Sequence, residues 1–139
     1  MPDQRAVITR IVQGMTKNTK RPIHLDLRRI RFPLNAIASI GHRISGILMA
    51  LATPLAIYLL DLSLSGPEGF ASAKDLLHSG LGQLGLFLML WAMMHHLFAG
   101  IRCIAIDLDW GVEKPVFIQT ALGVLAAAPL AALVLWGLL

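Results

Sequence analysis

Ser39-Ile40-Gly41-His42-Arg43-Ile44-Ser45-Gly46 stands at the threshold of a long apolar run. Its histidine and arginine sit where a chain would enter a membrane. On a helix of about 100° per residue, Asn35, Ser39, His42, Arg43, Gly46, Ala50 and Thr53 share an arc of about 100°. They form one polar and small face on an otherwise greasy helix. Ionisable groups at membrane depth are costly, and they face a partner, a cavity or a ligand. The stretch therefore predicts a transmembrane helix and a site on its first turns.

The rest of the chain has the composition such a helix needs around it. Of 139 residues 56% are hydrophobic and 14% charged, with a mean hydropathy of +0.69. A soluble domain this apolar would expose large sticky patches, so the expected class is an all-α integral membrane protein. The net charge is +4, and it is concentrated at one end. Arg5, Arg10, Lys17, Lys20, Arg21, Arg28, Arg29, Arg31 and Arg43 all precede the first apolar run, opposed only by Asp3 and Asp26. Beside a span, a basic arm reads as a cytoplasmic flank held by the positive-inside rule and by anionic membrane lipids. It lacks the interleaved aromatic residues of a nucleic-acid arm, so no nucleic-acid partner is expected. Cys103 is the single cysteine and permits no intrachain disulfide. The first twenty residues hold no continuous apolar core of a secretory signal.

Working outward, residues 1–35 read as a basic N-terminal segment and 36–139 as a three-helix transmembrane domain. Ile8, Ile11, Val12 and Met15 match a short amphipathic turn, although a loosely ordered tail is the preferred reading there. Pro22 and Pro33 interrupt any long helix in this segment. The spans are expected at about 35–62, 81–107 and 116–139, each long enough to cross a bilayer, with kinks at Pro54 and Pro129. Residues 63–80 carry turn chemistry, with a short surface helix at about 70–77, and 108–115 form an inner loop. Asp109 and Glu113 read as solvated loop charges. Three spans and a basic start imply a cytoplasmic N-terminus and a C-terminus on the far side.

The second span carries the other candidate site. Gly85, Met89, Ala92, Met93, Gly100, Cys103 and Asp107 lie within about 60° of His96 on a helix. One imidazole among small residues and methionines fits an axial haem ligand, and Gly100, one turn away, leaves room for something flat. An interhelical hydrogen bond is the competing reading for His96. His95 points about 100° away and reads as a packing or interface group, so a second haem ligand would come from another chain. Arg102 either snorkels to headgroups or meets a propionate. His96 lies some 16 Å inside its span, so a headgroup held by Ser39 and Arg43 is within electron-transfer reach of a haem there. Serine donates to a carbonyl and a guanidinium stabilises charge developing on it, which are the needs of a quinone under reduction. A capping role for Ser39 and a lipid-phosphate anchor at His42 and Arg43 remain the plain alternatives.

These stretches resemble the small cytochrome b membrane anchors of succinate dehydrogenase, the respiratory complex II family. The family opening is similar to Arg21-Pro22-Ile23-His24-Leu25-Asp26-Leu27 followed by Ile30-Arg31-Phe32-Pro33. The Ser-x-x-His-Arg-x-Ser/Thr-Gly signature matches Ser39 to Gly46, and His-x-x-x-Gly-Ile-Arg matches His96 to Arg102. Ser63 to Phe70 resembles the outer loop of bacterial members. The likeness covers about 21–113.

The resemblance implies a subunit of a succinate:quinone oxidoreductase, outside its catalytic head, in a bacterial inner membrane. It implies haem b with His96 as axial iron ligand and Gly100 and Arg102 as further haem-binding residues. It also implies ubiquinone as substrate, held by Ser39 and Arg43 with His42 close by. The implied partners are a second membrane anchor supplying the other haem ligand, an iron–sulfur subunit and a flavoprotein subunit. Many members carry another histidine where this chain has Cys103, so no propionate contact is carried over to that position. The alternative function is a cofactor-free three-span structural anchor or assembly subunit.

Overall fold

The computed structural model describes residues 32–139, and these are helical throughout except for short connections. The 1–31 part of the basic segment, with the amphipathic turn, Pro22 and the family opening, lies outside the described residues. Four helices follow in order: α1 (Leu34–Leu64), α2 (Pro67–His78), α3 (Gly80–Asp107) and α4 (Lys114–Leu138). Three of them, α1, α3 and α4, are long and apolar enough to cross a membrane. Together with the short α2 they match the expected all-α architecture, with boundaries within a few residues of those read from the sequence.

Punctuation explains the boundaries. Pro33 precedes α1 in extended conformation, φ −65° and ψ 152°, as a residue that fixes φ and cannot donate. The expected 63–80 loop contracts to Ser65, Gly66 and Ser79. Gly66 takes φ 128°, which only glycine adopts cheaply, and Pro67 then opens α2 in its first turn. Ser79 caps α3 by accepting from the Gly82 amide at 3.1 Å. After α3 the backbone reverses through two left-handed residues, Asp109 at φ 60° and Gly111 at φ 74°. Pro54 and Pro129 both lie inside unbroken helices. Beside Pro54, the Thr53 hydroxyl donates to the Met49 carbonyl at 3.0 Å.

α3 packs against both α1 and α4, and α2 closes over the ends of α1 and α3. The interior is small-residued: Ala38, Ala92, Ala99, Ala121, Val124, Ala128 and Ala132 are buried. Large side chains such as Leu51, Leu55, Ile104 and Leu130 point outward, each more than half exposed. Lipid tails solvate leucine as well as a protein core does, so helices in a membrane approach through small residues instead. Among the described residues the buried polar side chains are Ser45 and His95, both on the α1–α3 seam.

Candidate functional site

The two signature stretches meet across that seam. His96 Nδ1 lies 3.1 Å from the His42 carbonyl oxygen and 3.3 Å from Ser45 Oγ. Ser45 spends its own proton on the same carbonyl, at 2.8 Å. Both oxygens facing Nδ1 are therefore acceptors, which puts the imidazole proton on Nδ1. Nε2 keeps its lone pair and has no hydrogen-bond partner among the described residues. A metal-binding histidine has this arrangement, with one nitrogen tied to a carbonyl and the other presented. The His42 ring lies against the His96 ring, centroids 4.2 Å apart and tilted by 32°.

Glycines make the close approach possible. A Cβ on Gly46 would sit 3.0 Å from His96 Cε1, and one on Gly41 would sit 2.5 Å from His95 Nε2. Gly100 faces the His42 ring, whose Nε2 would be 3.8 Å from an added Cβ. The flat group nearest Gly100 within this chain is thus the His42 imidazole. Nothing in the chain comes within 4 Å of a Cβ built on Gly85.

His95 takes the packing role its phase predicts. It is 2% exposed, its Nε2 donates to the Ala38 carbonyl at 3.4 Å, and Trp91 stacks beside it at 5.5 Å. Its outward nitrogen is spent on α1 backbone, so His96 is the histidine of the pair with a nitrogen to offer.

Arg102 turns inward rather than snorkelling. Its Nε donates to Thr120 Oγ1 and its Nη2 to Asn35 Oδ1 and the Phe117 carbonyl, all at 3.1 Å. Its guanidinium carbon also lies 4.6 Å from the Phe117 ring centroid, within cation–π range. One side chain so joins α1, α3 and α4. This reading was closed to the sequence, because it depends on which residues of α4 stand opposite.

Ser39 and Arg43 share one flank of α1, a turn apart, and both are exposed. His42 is half-buried and turned to the seam. Cys103 is exposed. No group of three or more His, Cys, Asp or Glu that could hold a bare metal ion exists among the described residues. Toward the α2 end of the bundle from His96, a groove of about 260 Å³ runs between the helices, lined by Met49, Thr53, Met89 and Met93 among others. His96 itself does not line this groove, whose nearest lining residue on the same helix, Met93, lies about one turn away, and the apolar thioether lining is compatible with an apolar ligand body.

A second polar tie escaped the sequence reading. Trp136 Nε1 donates to Gln83 Oε1 at 2.9 Å, and Gln83 Nε2 donates to the Leu77 carbonyl at 3.0 Å. It fastens α2, α3 and α4 at the end remote from Arg102. A glutamine inside an apolar span was the available signal, since such groups seek partners.

Residues 17–135 match the family described as succinate dehydrogenase/fumarate reductase transmembrane subunit. The chain is similar to a succinate dehydrogenase cytochrome b556 subunit of Coxiella burnetii (strain RSA 493 / Nine Mile phase I). Identity is 46% over 99 residues, 70% of this chain and 79% of the relative. It is also similar to the subunit of the same name from Paracoccus denitrificans, 36% identical over 93 residues, 67% of this chain and 72% of the relative.

Proposed function

From membership of the succinate dehydrogenase/fumarate reductase transmembrane subunit family, we propose that this chain holds one side of a b-type haem and one wall of a quinone-reduction site. His96 Nε2 is the axial ligand this chain offers the haem iron. The observation that carries the reading is the fixed tautomer of His96, with Nδ1 facing the acceptors His42 O and Ser45 Oγ. A haem held there would supply a one-electron carrier at the depth of the seam. Gly100 and Arg102 take supporting places around it. Gly100 keeps the α3 surface open, and Arg102 holds the inner ends of the three spans together.

On the other flank of α1, the Ser39 hydroxyl donates to a ubiquinone carbonyl. The Arg43 guanidinium stabilises the negative charge that develops on that oxygen as electrons arrive. His42 stands between, its ring on His96 and its neighbour Arg43 on the quinone side. The other haem ligand comes from a second membrane anchor, and the electrons come from succinate through flavoprotein and iron–sulfur subunits. The inner ends of the spans face the cytoplasm of a bacterial inner membrane, with residues 1–35 as the basic flank and the C-terminus in the periplasm.

Reduced-minus-oxidised spectra of membranes test the haem assignment. His96→Leu is expected to abolish the b-type signal, whereas His95→Leu keeps it at reduced complex yield. Equal loss from both sinks the assignment of the ligand to the His96 face, and a wild-type complex without a Soret band supports a cofactor-free anchor instead. Reporter fusions at residues 70, 112 and 139 are expected to read outside, inside, outside, and an inside signal at residue 70 reverses the orientation.

A further inference from the structure

Ser45 Oγ helps to fix the tautomer of His96. Its side chain is one of two buried polar ones among the described residues, at 0% exposure. We propose that Ser45 is a positioning residue for His96, setting both the rotation of the imidazole and its strength as a donor. The proposal rests on the reading of His96 as a haem ligand.

The geometry supplies two oxygens for one N–H. The His42 carbonyl alone, at 3.1 Å from Nδ1, would leave the ring free to swing about that single bond. Ser45 Oγ, at 3.3 Å, adds a second acceptor to the side and restricts that swing. The hydroxyl cannot reverse its role, because its proton is committed to the His42 carbonyl at 2.8 Å. Its lone pairs therefore face Nδ1–H in every arrangement that keeps this bond. Acceptors behind the ring raise the basicity of the opposite nitrogen, and a more basic axial ligand favours ferric over ferrous iron. Gly46 supplies the space, its missing Cβ lying where His96 Cε1 approaches.

A competing account is purely local. Serine in a helix often bonds a carbonyl of the preceding turn to satisfy its hydroxyl, and the contact with His96 would then carry no consequence for the ring. The two accounts differ in the midpoint potential of the haem. The experiment is a redox titration of the assembled complex carrying S45A, S45T or H96L beside wild type, with thermal stability measured in parallel. Alanine is smaller than serine, so S45A adds no steric load to the seam.

With haem retained, S45A is expected to move the midpoint to a more positive value. S45T is expected to restore it, because a helical threonine hydroxyl also bonds the preceding turn. An S45A midpoint equal to or below that of wild type overturns the proposal, even if stability falls. S45A alone decides should the extra methyl of S45T block assembly. Absence of haem from wild type, or its persistence in H96L, brings down the ligand reading itself.

Discussion

The same eight-residue stretch presents two unlike surfaces. One side of α1, with Ala38, Gly41, His42 and Ser45, is wired into α3 by imidazole bonds and glycine gaps. The adjacent flank, with Ser39 and Arg43, is exposed. The first side is tied within the chain, since among the described residues no buried side-chain polar atom lacks a hydrogen-bond partner. Under the proposed function the second is one wall of a quinone site. An exposed arginine at the start of an apolar span is expensive unless something covers it, so on the proposed function this flank is where a partner subunit is expected.

The contrast can be broken most sharply from the exposed flank. Ser39→Ala and Arg43→Lys are expected to lower quinone-linked turnover by about 10²–10³, the usual cost of losing a donor to developing charge. Haem content and dye-linked succinate oxidation per assembled complex should hold, because neither side chain supports the seam. Lysine keeps the charge but loses the planar fork. A mere lipid anchor at this position would leave Arg43→Lys silent, and unchanged quinone rates in both variants would empty the flank of function.

The wired side should respond in stability instead. Gly41→Ala places a methyl 2.5 Å from His95 Nε2, against a buried ring with nowhere to go. A loss of about 1–3 kcal/mol is expected, as for other overpacked interiors, read as a lower melting temperature of the detergent-solubilised complex. Gly100→Ala meets the His42 ring only at ordinary contact distance, 3.8 Å, and should change stability by no more than about 0.5 kcal/mol. If Gly100→Ala were the more damaging of the two, the seam would be packed differently from this description.

Much of the architecture was legible before any coordinates. Hydropathy marks the spans, and Pro33 and the turn residues within 63–80 punctuate them, because these residue types act locally on the backbone. The separation of His95 from His96 was legible from helical phase alone. Phase names the face of a helix, however, and not what stands across from it. That is why Ser45, Gly41 and Gly46 passed as signature or spacing residues, and why Arg102 read as a choice between headgroup and propionate. Its acceptors Asn35, Thr120 and the Phe117 carbonyl come from two other helices, and the register between helices is set by packing. Gln83 and Trp136 were missed for the same reason.

The seam also has a consequence in time. α1 ends at Leu64 and its partner α3 at Asp107, so about forty residues of synthesis separate them. At elongation rates of about 5–20 residues per second that is roughly 2–8 s. Throughout that interval His42 and Ser45 have no α3 to face. The Ser45 hydroxyl is already satisfied within α1, whereas the His42 ring finds its neighbour only on α3, so the seam is expected to close after α3 is made rather than as α1 forms.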